Sequence, residues 1–268
     1  MGHALLNDPP LDSSPAAPTA QAETLAARML AAFGAATDGA GRVDYARLSG
    51  SAELAAAMEA ARGLATVRLD ALSTRGAQLA FWINVYNALV LHGIVHLGVR
   101  RSVARAWNFF GRAAYRVGGS VFSPDDVEHG VLRGNRRRVL PPLRPFGARD
   151  PRRRLALSPL DPRIHFAINC GARSCPPVGV YRAESIDAQL DLATRAFVNS
   201  EVSLEDGRIV CSRLFKWYRG DFDAAGGLTA FLLRYLDDGP TRRALADGSP
   251  SRVGFRSWDW SLHRPALE

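Results

Sequence analysis

The chain has 268 residues, of which 47% are hydrophobic, and a formal net charge of +8. This length supports one sizeable core. No apolar run is long and uninterrupted enough to span a membrane, because the best candidate, 77–95, contains Asn84, Asn87 and His92. No basic segment followed by an apolar one opens the chain, which favours a cytoplasmic location over a secreted one.

Helices dominate the predicted elements of the N-terminal half. Residues 1–20 are rich in proline and serine and predict a disordered tail. Helical spacing of apolar residues predicts a first helix over 21–36. Ser51 is a candidate cap for a second helix that reaches 62. Ser73 or Thr74 caps a long helix over 75–97, and Gly98 is placed to end it.

Strands and shorter helices alternate in the C-terminal half. A Gly-Gly turn predicts a hairpin over 114–122. Ser123, followed by proline and two aspartates, begins a helix that carries Glu128 and His129. A strand over 164–168, a helix over 187–200, a hairpin over 203–211, short helices over 214–218 and 228–236 and a last strand follow. Together they predict one globular α+β domain over 21–265, with the helical half packed on a small antiparallel sheet.

An arginine- and proline-rich loop is predicted over 134–160. Nine arginines fall between positions 133 and 154. We favour a solvated, mobile loop, and the alternative is a patch that binds phosphate, nucleic acid or an acidic membrane. Few aromatic residues interleave with these arginines, so nucleic acid is not an expected partner.

The most informative segment runs from His165 to Pro177. It places Cys170 and Cys175 within eleven residues of a histidine, in a chain whose only other cysteine is Cys211. Such a cluster indicates a nucleophilic thiolate, a metal site or a disulfide. Cys175 precedes two prolines that stiffen its loop, and we predict that it is the nucleophile. Cys170 is predicted to be a buried neighbour or a resolving thiol, and Cys211 a core residue.

Two histidines are candidates for the base that activates Cys175, and the sequence leaves the choice open. Alternation along the predicted strand points His165 away from Cys170, so it meets Cys175 only if the loop folds back. Glu128 and His129 are neighbours on a helix and diverge by about 100°, so Glu128 is not expected to orient His129 simply. Asn84, on an otherwise apolar helix face, either orients a histidine or bonds the backbone of a neighbouring loop.

Four blocks of sequence resemble the domain-of-unknown-function 547 family of bacteria and plants. They lie at 80–89, 126–133, 161–176 and 215–222, in the family's order, within about residues 25–262. The resemblance implies a family pattern similar to that of a thiol enzyme, with a papain- or transglutaminase-like α+β layout by analogy. The arginine-rich segment is less typical of the family, which favours the solvated-loop interpretation.

The resulting functional prediction is a cysteine-dependent hydrolase or acyl-transfer enzyme. Cys175 attacks a carbonyl carbon, His129 or His165 moves the proton, and Glu128 or Asn84 orients the imidazole. Backbone N–H groups over 171–175 stabilise the oxyanion.

The predicted substrate is a small molecule or a peptide, bound by Arg173, Asn169 and Trp217, and no cofactor or metal is expected. Two alternatives stay open: a zinc site built from His165, Cys170, Cys175 and His129, and a non-catalytic binding module. The oligomeric state also stays open.

Overall fold

A computed structural model describes residues 2–8, 17–39, 42–139, 141–248 and 253–262. Its α-helices are α1 (Pro18–Ala35), α2 (Tyr45–Ser49), α3 (Ala52–Arg62), α4 (Arg75–His96), α5 (Phe109–Arg112), α6 (Ile186–Glu201), α7 (Leu214–Trp217), α8 (Arg219–Asp223), α9 (Leu228–Tyr235) and α10 (Pro240–Ala246). A π-helix covers Asp126–Leu132. The strands are β1 (Ala4–Leu5), β2 (Ala113–Val117), β3 (Ser120–Phe122), β4 (Ser203–Glu205), β5 (Arg208–Cys211) and β6 (Val253–Phe255).

The predicted caps hold the long helices. The Ser51 hydroxyl accepts a hydrogen bond from the Leu54 N–H at the start of α3, and the Thr74 hydroxyl accepts one from the Ala77 N–H at the start of α4. Gly98 follows α4 with φ +60, a conformation that glycine adopts without a steric penalty.

Helix α4 forms the centre of the larger hydrophobic core. Every residue from Leu79 to Ile94 is buried, and α1 packs against α4. The helix is long and apolar enough to cross a bilayer, but 89% of its most apolar window is buried inside the protein. It is therefore a core helix, as the interrupting polar residues predict.

The α+β class is confirmed, but the single antiparallel sheet is wrong. Two three-stranded mixed sheets form instead, ordered β1-β2-β3 and β4-β5-β6. In each, one hairpin pairs antiparallel and a strand distant in sequence adds in parallel. Both hairpins occur where their turns predict them, and Asp206 and Gly207 have the positive φ values that the second turn requires.

The N-terminal tail is ordered at residues 4–7, contrary to the prediction. The buried Asn7 side chain donates to the carbonyl oxygens of Ala61 and Arg116 and accepts from the Arg116 N–H. An amide that satisfies three backbone partners tethers this segment beside β2. The predicted disorder at residues 9–16 lies outside the described residues.

The strand predicted over 164–168 is also wrong. Residues Pro162–Phe166 form a 3₁₀ helix, because the Asp161 carboxylate accepts the Arg163 N–H and proline occupies the first position. Ile164 belongs to the larger core and Phe166 to a second core around α6 to α9. His165, between them in sequence, lines a cleft.

The helix predicted from Ser123 is present in π form. The Ser123 hydroxyl accepts the Asp126 N–H, while the Asp126 carboxylate accepts the Ser123 N–H and hydroxyl. Gly130 permits close packing here, since a Cβ atom at this position would overlap the ring of Phe146. π-Helical turns are frequent at functional sites, and this one carries Glu128 and His129.

The arginine-rich segment is only in part the solvated loop that we favour from sequence. Three of its arginines form ion pairs, while five are exposed: Arg137, Arg144, Arg149, Arg153 and Arg154. Arg136 pairs with Asp221, Arg138 with Asp125, and Arg152 with Asp126 and Asp150. A 3₁₀ helix covers Pro151–Leu155. Asp125, Asp126 and Asp221 lie outside the segment, and Asp150 caps its 3₁₀ helix. Composition alone therefore does not predict these ion pairs.

We expect stability to fall between pH 6.5 and 5, in part because of His92. Burial and the neighbouring His96 lower the pKa of His92 to about 4, and its ring bonds the Tyr115 hydroxyl. Below pH ~6.5 His92 is protonated in the unfolded state but stays neutral in the folded state. By pH 5 this difference lowers the free energy of unfolding by about 2 kcal/mol.

Urea unfolding at pH 7.5, 6.0 and 5.0 tests this expectation. His92→Gln should show a smaller difference between pH 7.5 and pH 5.0 than the wild type, whatever its absolute stability. The exposed His3, which does not affect the pKa of His92, serves as control through His3→Gln. An identical pH dependence in wild type and His92→Gln would contradict the assignment.

Candidate functional site

A cleft of about 290 Å³ brings together side chains from distant parts of the chain. Its polar lining consists of Tyr86, Asp125, Glu128, His129, His165, Cys170, Cys175 and Tyr218. Its apolar lining consists of Phe110, Val139, Ile168, Pro176, Leu214, Trp217, Trp258 and Trp260. The three indoles contact one another, with ring centroids 5.4 to 6.1 Å apart.

Two asparagines hold the loop that carries the cysteines. The buried Asn87 on α4 donates to the Ala167 carbonyl and accepts the Asn169 N–H. Asn169 in turn donates to the Pro176 carbonyl and accepts the Gly171 N–H. The loop is therefore closed by amide side chains at both ends, which fixes the two thiols relative to α4.

The Cys175 sulfur accepts a hydrogen bond from the Cys170 backbone N–H and contacts the Cys170 thiol. The Cys170 backbone N–H lies 3.2 Å from Cys175 Sγ, and the two sulfurs lie 2.6 Å apart. The hydrogen bond with Cys175, followed by burial and nearby Glu128, raises the pKa of Cys170 well above its usual value, despite an opposing backbone N–H. Cys170 thus keeps its proton at neutral pH.

A buried ionic network fixes the other side of the cleft. Arg133 donates to both carboxylate oxygens of Asp221, at 2.6 and 3.0 Å, and His165 Nε2 lies 2.9 Å from Asp221 Oδ2. Burial alone would raise the pKa of Asp221, but the hydrogen bonds from His165 and Arg133 outweigh it and lower that pKa strongly. Asp221 is therefore a carboxylate that only accepts hydrogen bonds.

This carboxylate sets the tautomer of His165. Burial lowers the pKa of His165 even though Asp221 opposes the shift, so the ring is neutral. Nε2 carries the proton because its partner only accepts, which leaves the lone pair on Nδ1. That atom is buried without a hydrogen-bond partner among the described residues. The ring also stacks on Tyr218 with centroids 3.9 Å apart.

The opposite protonation pattern holds at His129. Arg133 Nη1, which only donates, lies 2.9 Å from His129 Nδ1. Burial lowers the pKa of His129, although Glu128 opposes the shift. The neutral ring consequently accepts at Nδ1 and carries its proton on Nε2, 3.8 Å from Asp125 Oδ1. His129 therefore has its donor on Nε2, whereas His165 retains a basic Nδ1 without a hydrogen-bond partner among the described residues.

Glu128 lies closer to His129 than helical divergence predicts, with Oε1 3.5 Å from Nδ1. Its oxygens accept hydrogen bonds from the hydroxyls of Tyr86, at 3.1 Å, and Tyr218, at 2.5 Å. Burial would raise the pKa of Glu128, but His129, the Tyr218 hydroxyl and Arg133 lower it below its usual value. Glu128 is thus a buried carboxylate beside the thiols.

The remaining predicted site residues have different positions. Asn84 is fully buried and exchanges two hydrogen bonds with the Tyr181 backbone. It therefore bonds the backbone of a neighbouring loop, and it does not line the cleft. Arg173 is exposed, and its backbone N–H donates to the Ser261 carbonyl. Asn169 supports the cysteine loop, while Trp217 lines the cleft.

The predicted oxyanion donors are already used. The N–H groups of Gly171, Arg173, Ser174 and Cys175 donate to protein oxygens within or beside the loop. Two other donors belong to residues that line the cleft: Nε2 of His129 and the indole N–H of Trp258, which is buried without a partner among the described residues.

The zinc alternative lacks a ligand set. Within the part of the chain that the structure describes, no three His, Cys, Asp or Glu side chains are grouped so that they could hold a metal ion. Cys211, the remaining cysteine, is fully buried in the second core, and burial raises its pKa to about 12.

Sequence reasoning misses several residues of the site. Arg133, Tyr86 and Tyr218 are not identified as site residues, and Asp221 enters only through the family resemblance. A signal for Asp221 exists, since an aspartate between an exposed Gly220 and a core Phe222 must find a partner when buried. Its partners lie 56 and 88 residues away, so sequence spacing does not identify them.

Fold and cleft together define an α+β protein with a dithiol and two differently protonated histidines around one aromatic-walled pocket. Residues 69–198 match the model of the family described as "Protein of unknown function, DUF547". This match contains the first three sequence blocks of the resemblance, while α7 and Asp221 lie beyond it. No curated protein and no solved structure matches the chain, so the papain- or transglutaminase-like layout stays an analogy.

We expect iodoacetamide to alkylate Cys175 faster than Cys170 or Cys211, because the pKa values of Cys170 and Cys211 are raised and Cys175 Sγ accepts the Cys170 N–H. Cys170→Ala removes the side-chain donor, whereas Cys170→Ser keeps one. At pH 7 alkylation of Cys175 should slow by roughly fivefold in Cys170→Ala, since one hydrogen bond is worth about 1 kcal/mol.

Peptide mass mapping over a time course measures both rates on reduced protein. Cys170→Ser should stay close to the wild type. Equal alkylation rates in Cys170→Ala and Cys170→Ser would show that the thiol hydrogen bond does not control Cys175.

Proposed function

We propose that this protein is a cysteine-dependent hydrolase or acyl-transfer enzyme whose nucleophile is Cys175. The observation that carries the proposal is the contact of the Cys170 N–H and thiol with Cys175 Sγ, in a cleft also lined by His165, whose Nε2 bonds Asp221. A thiolate stabilised by fixed donors and a neutral imidazole with a free lone pair are the two groups that acyl transfer through a thioester requires.

In the proposed reaction, His165 Nδ1 accepts the Cys175 proton and the sulfur attacks a carbonyl carbon. Collapse of the tetrahedral intermediate breaks the bond to the leaving group, which takes the proton from His165. Water or an acceptor nucleophile then attacks the thioester while His165 removes its proton, and Cys175 is released. Asp221 stabilises the imidazolium that forms in both steps.

The developing oxyanion needs donors that are not already used within the protein. His129 Nε2–H and Trp258 Nε1–H meet this condition on the cleft wall. Arg133 has a double role, because it holds His129 in the donor tautomer and Asp221 in its charged form. The indoles of Trp217, Trp258 and Trp260 favour an acyl group that is apolar or aromatic.

A panel of p-nitrophenyl esters and thioesters with apolar acyl groups tests the proposal. Cys175→Ser should lower kcat/KM by on the order of 10³-fold, and His165→Gln by on the order of 10²-fold or more. His129→Gln should lower kcat more than it changes KM, by on the order of 10²-fold, as loss of an oxyanion donor does.

Cys211→Ala is the matched thiol control, and it should retain the wild-type rate. Mass spectrometry of quenched reactions should find the acyl group on Cys175. Turnover that survives Cys175→Ser, or an acyl group found on another residue, would contradict the mechanism.

A second candidate function, dithiol–disulfide exchange, is favoured by the contact between the two sulfurs. Cys175 thiolate attacks one sulfur of an organic disulfide and releases the first thiolate. Cys170 then loses its proton and attacks Cys175 Sγ, which releases the second thiolate and leaves a Cys170–Cys175 disulfide. Two electrons pass from the protein to the substrate.

Incubation of the reduced protein with oxidised glutathione distinguishes this function from acyl transfer. The wild type should become lighter by two hydrogens, Cys170→Ser should carry a trapped mixed disulfide on Cys175, and Cys175→Ser should show neither product. Cys170→Ser should meanwhile retain ester turnover. Absence of an intramolecular disulfide in the wild type would exclude the exchange function and leave the hydrolase proposal intact.

A further inference from the structure

A second cavity of about 370 Å³ lies where α4 ends and is separate from the cysteine cleft. Its lining spans 97–112 and combines an apolar floor, which includes the buried Val99 and Phe109, with basic side chains. The basic residues are Arg100, Arg101, Arg105 and Arg112. Asp and Glu are absent from this lining, so the cavity has a uniformly positive rim.

The backbone that carries these arginines is fixed on several sides. Ser102 pairs with Ser261 in an antiparallel bridge, and the Leu262 N–H donates to the Arg101 carbonyl. The Ser102 hydroxyl accepts the Ala104 N–H and caps the 3₁₀ helix Val103–Arg105. The arginines therefore project from a positioned framework, which lowers the entropy cost of binding a ligand between them.

Three of these guanidinium groups lack an acidic partner in the described part of the chain. Arg101, Arg105 and Arg112 form none of the ion pairs found there, although Arg133, Arg152 and Arg163 each pair with carboxylates. Beside them, the indole of Trp107 is 63% exposed. Unmatched guanidinium groups next to an exposed aromatic face form a surface that an anion with a planar body would complement.

We infer that this cavity is a binding site for a small organic phosphate with a planar ring, of mononucleotide size. The arginines bind the phosphate with charge-assisted, bidentate hydrogen bonds, and the ring stacks on Trp107 over the apolar floor. Its volume lies within the range of small-molecule sites. This inference does not depend on the function proposed for Cys175.

Phosphate esters occur both as free metabolites and as lipid headgroups, and the test separates these sources. Isothermal titration of the full chain measures the affinity for AMP and for inorganic phosphate at 50 and 200 mM salt. Cosedimentation measures binding to vesicles of phosphatidylglycerol and phosphatidylcholine, with and without AMP. We expect the protein to bind AMP more tightly than inorganic phosphate, and the affinity for AMP to fall at the higher salt concentration. We expect no vesicle binding that persists in the presence of AMP.

The decisive variant is the double substitution Arg105→Gln and Arg112→Gln. It should weaken AMP binding by on the order of tenfold or more for each guanidinium that contacts the phosphate. Arg47→Gln with Arg62→Gln removes the same charge from exposed positions elsewhere and should retain the wild-type affinity. Trp107→Ala should weaken AMP binding while leaving inorganic phosphate unchanged.

Several results would overturn the inference. The first is the absence of AMP binding by the wild type. The second is an affinity for AMP that is equal in the wild type and the Arg105 and Arg112 variant, or equally reduced in the control variant. The third is vesicle binding that AMP does not displace. Unchanged AMP affinity in Trp107→Ala would overturn the stacking contact. Thermal unfolding of each variant confirms that it is folded before titration.

Discussion

One buried carboxylate organises the functional half of this protein. Asp221 is 2% exposed and accepts hydrogen bonds from Arg133, Arg136 and His165. Through these contacts α8 is joined to the end of the π-helix, to the arginine-rich segment and to the 3₁₀ helix that precedes the cysteines. A buried charge is costly unless it is fully paired, so each of these elements depends on the others for its position.

The same network gives two histidines opposite roles. Arg133 donates to His129 Nδ1, and the Asp221 carboxylate accepts from His165 Nε2. Because the partner of one ring only donates and the partner of the other only accepts, the first imidazole presents a proton and the second a lone pair. One guanidinium therefore positions both groups, and the roles of the two histidines in the proposed chemistry follow from their partners rather than from their distance to a thiol.

The two thiols also differ because their neighbours differ. Cys175 receives a backbone N–H and a neighbouring thiol, whereas Cys170 lies near the negative charge of Glu128. The loop that holds them depends on Asn87 and Asn169, whose amides bond backbone groups at both ends. Amides on an apolar helix are thus structural supports of the site, and Asn84 has a corresponding role at the Tyr181 backbone.

The sequence by itself determined the features that act over a few residues. Serine and threonine caps, helical periodicity and the Asp206-Gly207 turn predict elements that the structure contains, because the hydrogen bonds and backbone angles involved are local. Apolar content alone did not distinguish a strand from the 3₁₀ helix at Pro162–Phe166. There the Asp161 cap and the proline at the first position favour the helix. The tertiary structure alone decided the partners of Asp221, the tautomers of the histidines, the donors to Cys175 and the pairing of the arginines. Each of these depends on the approach of groups that are far apart in the chain or brought together by a folded loop, and their charges and protons are set by that proximity.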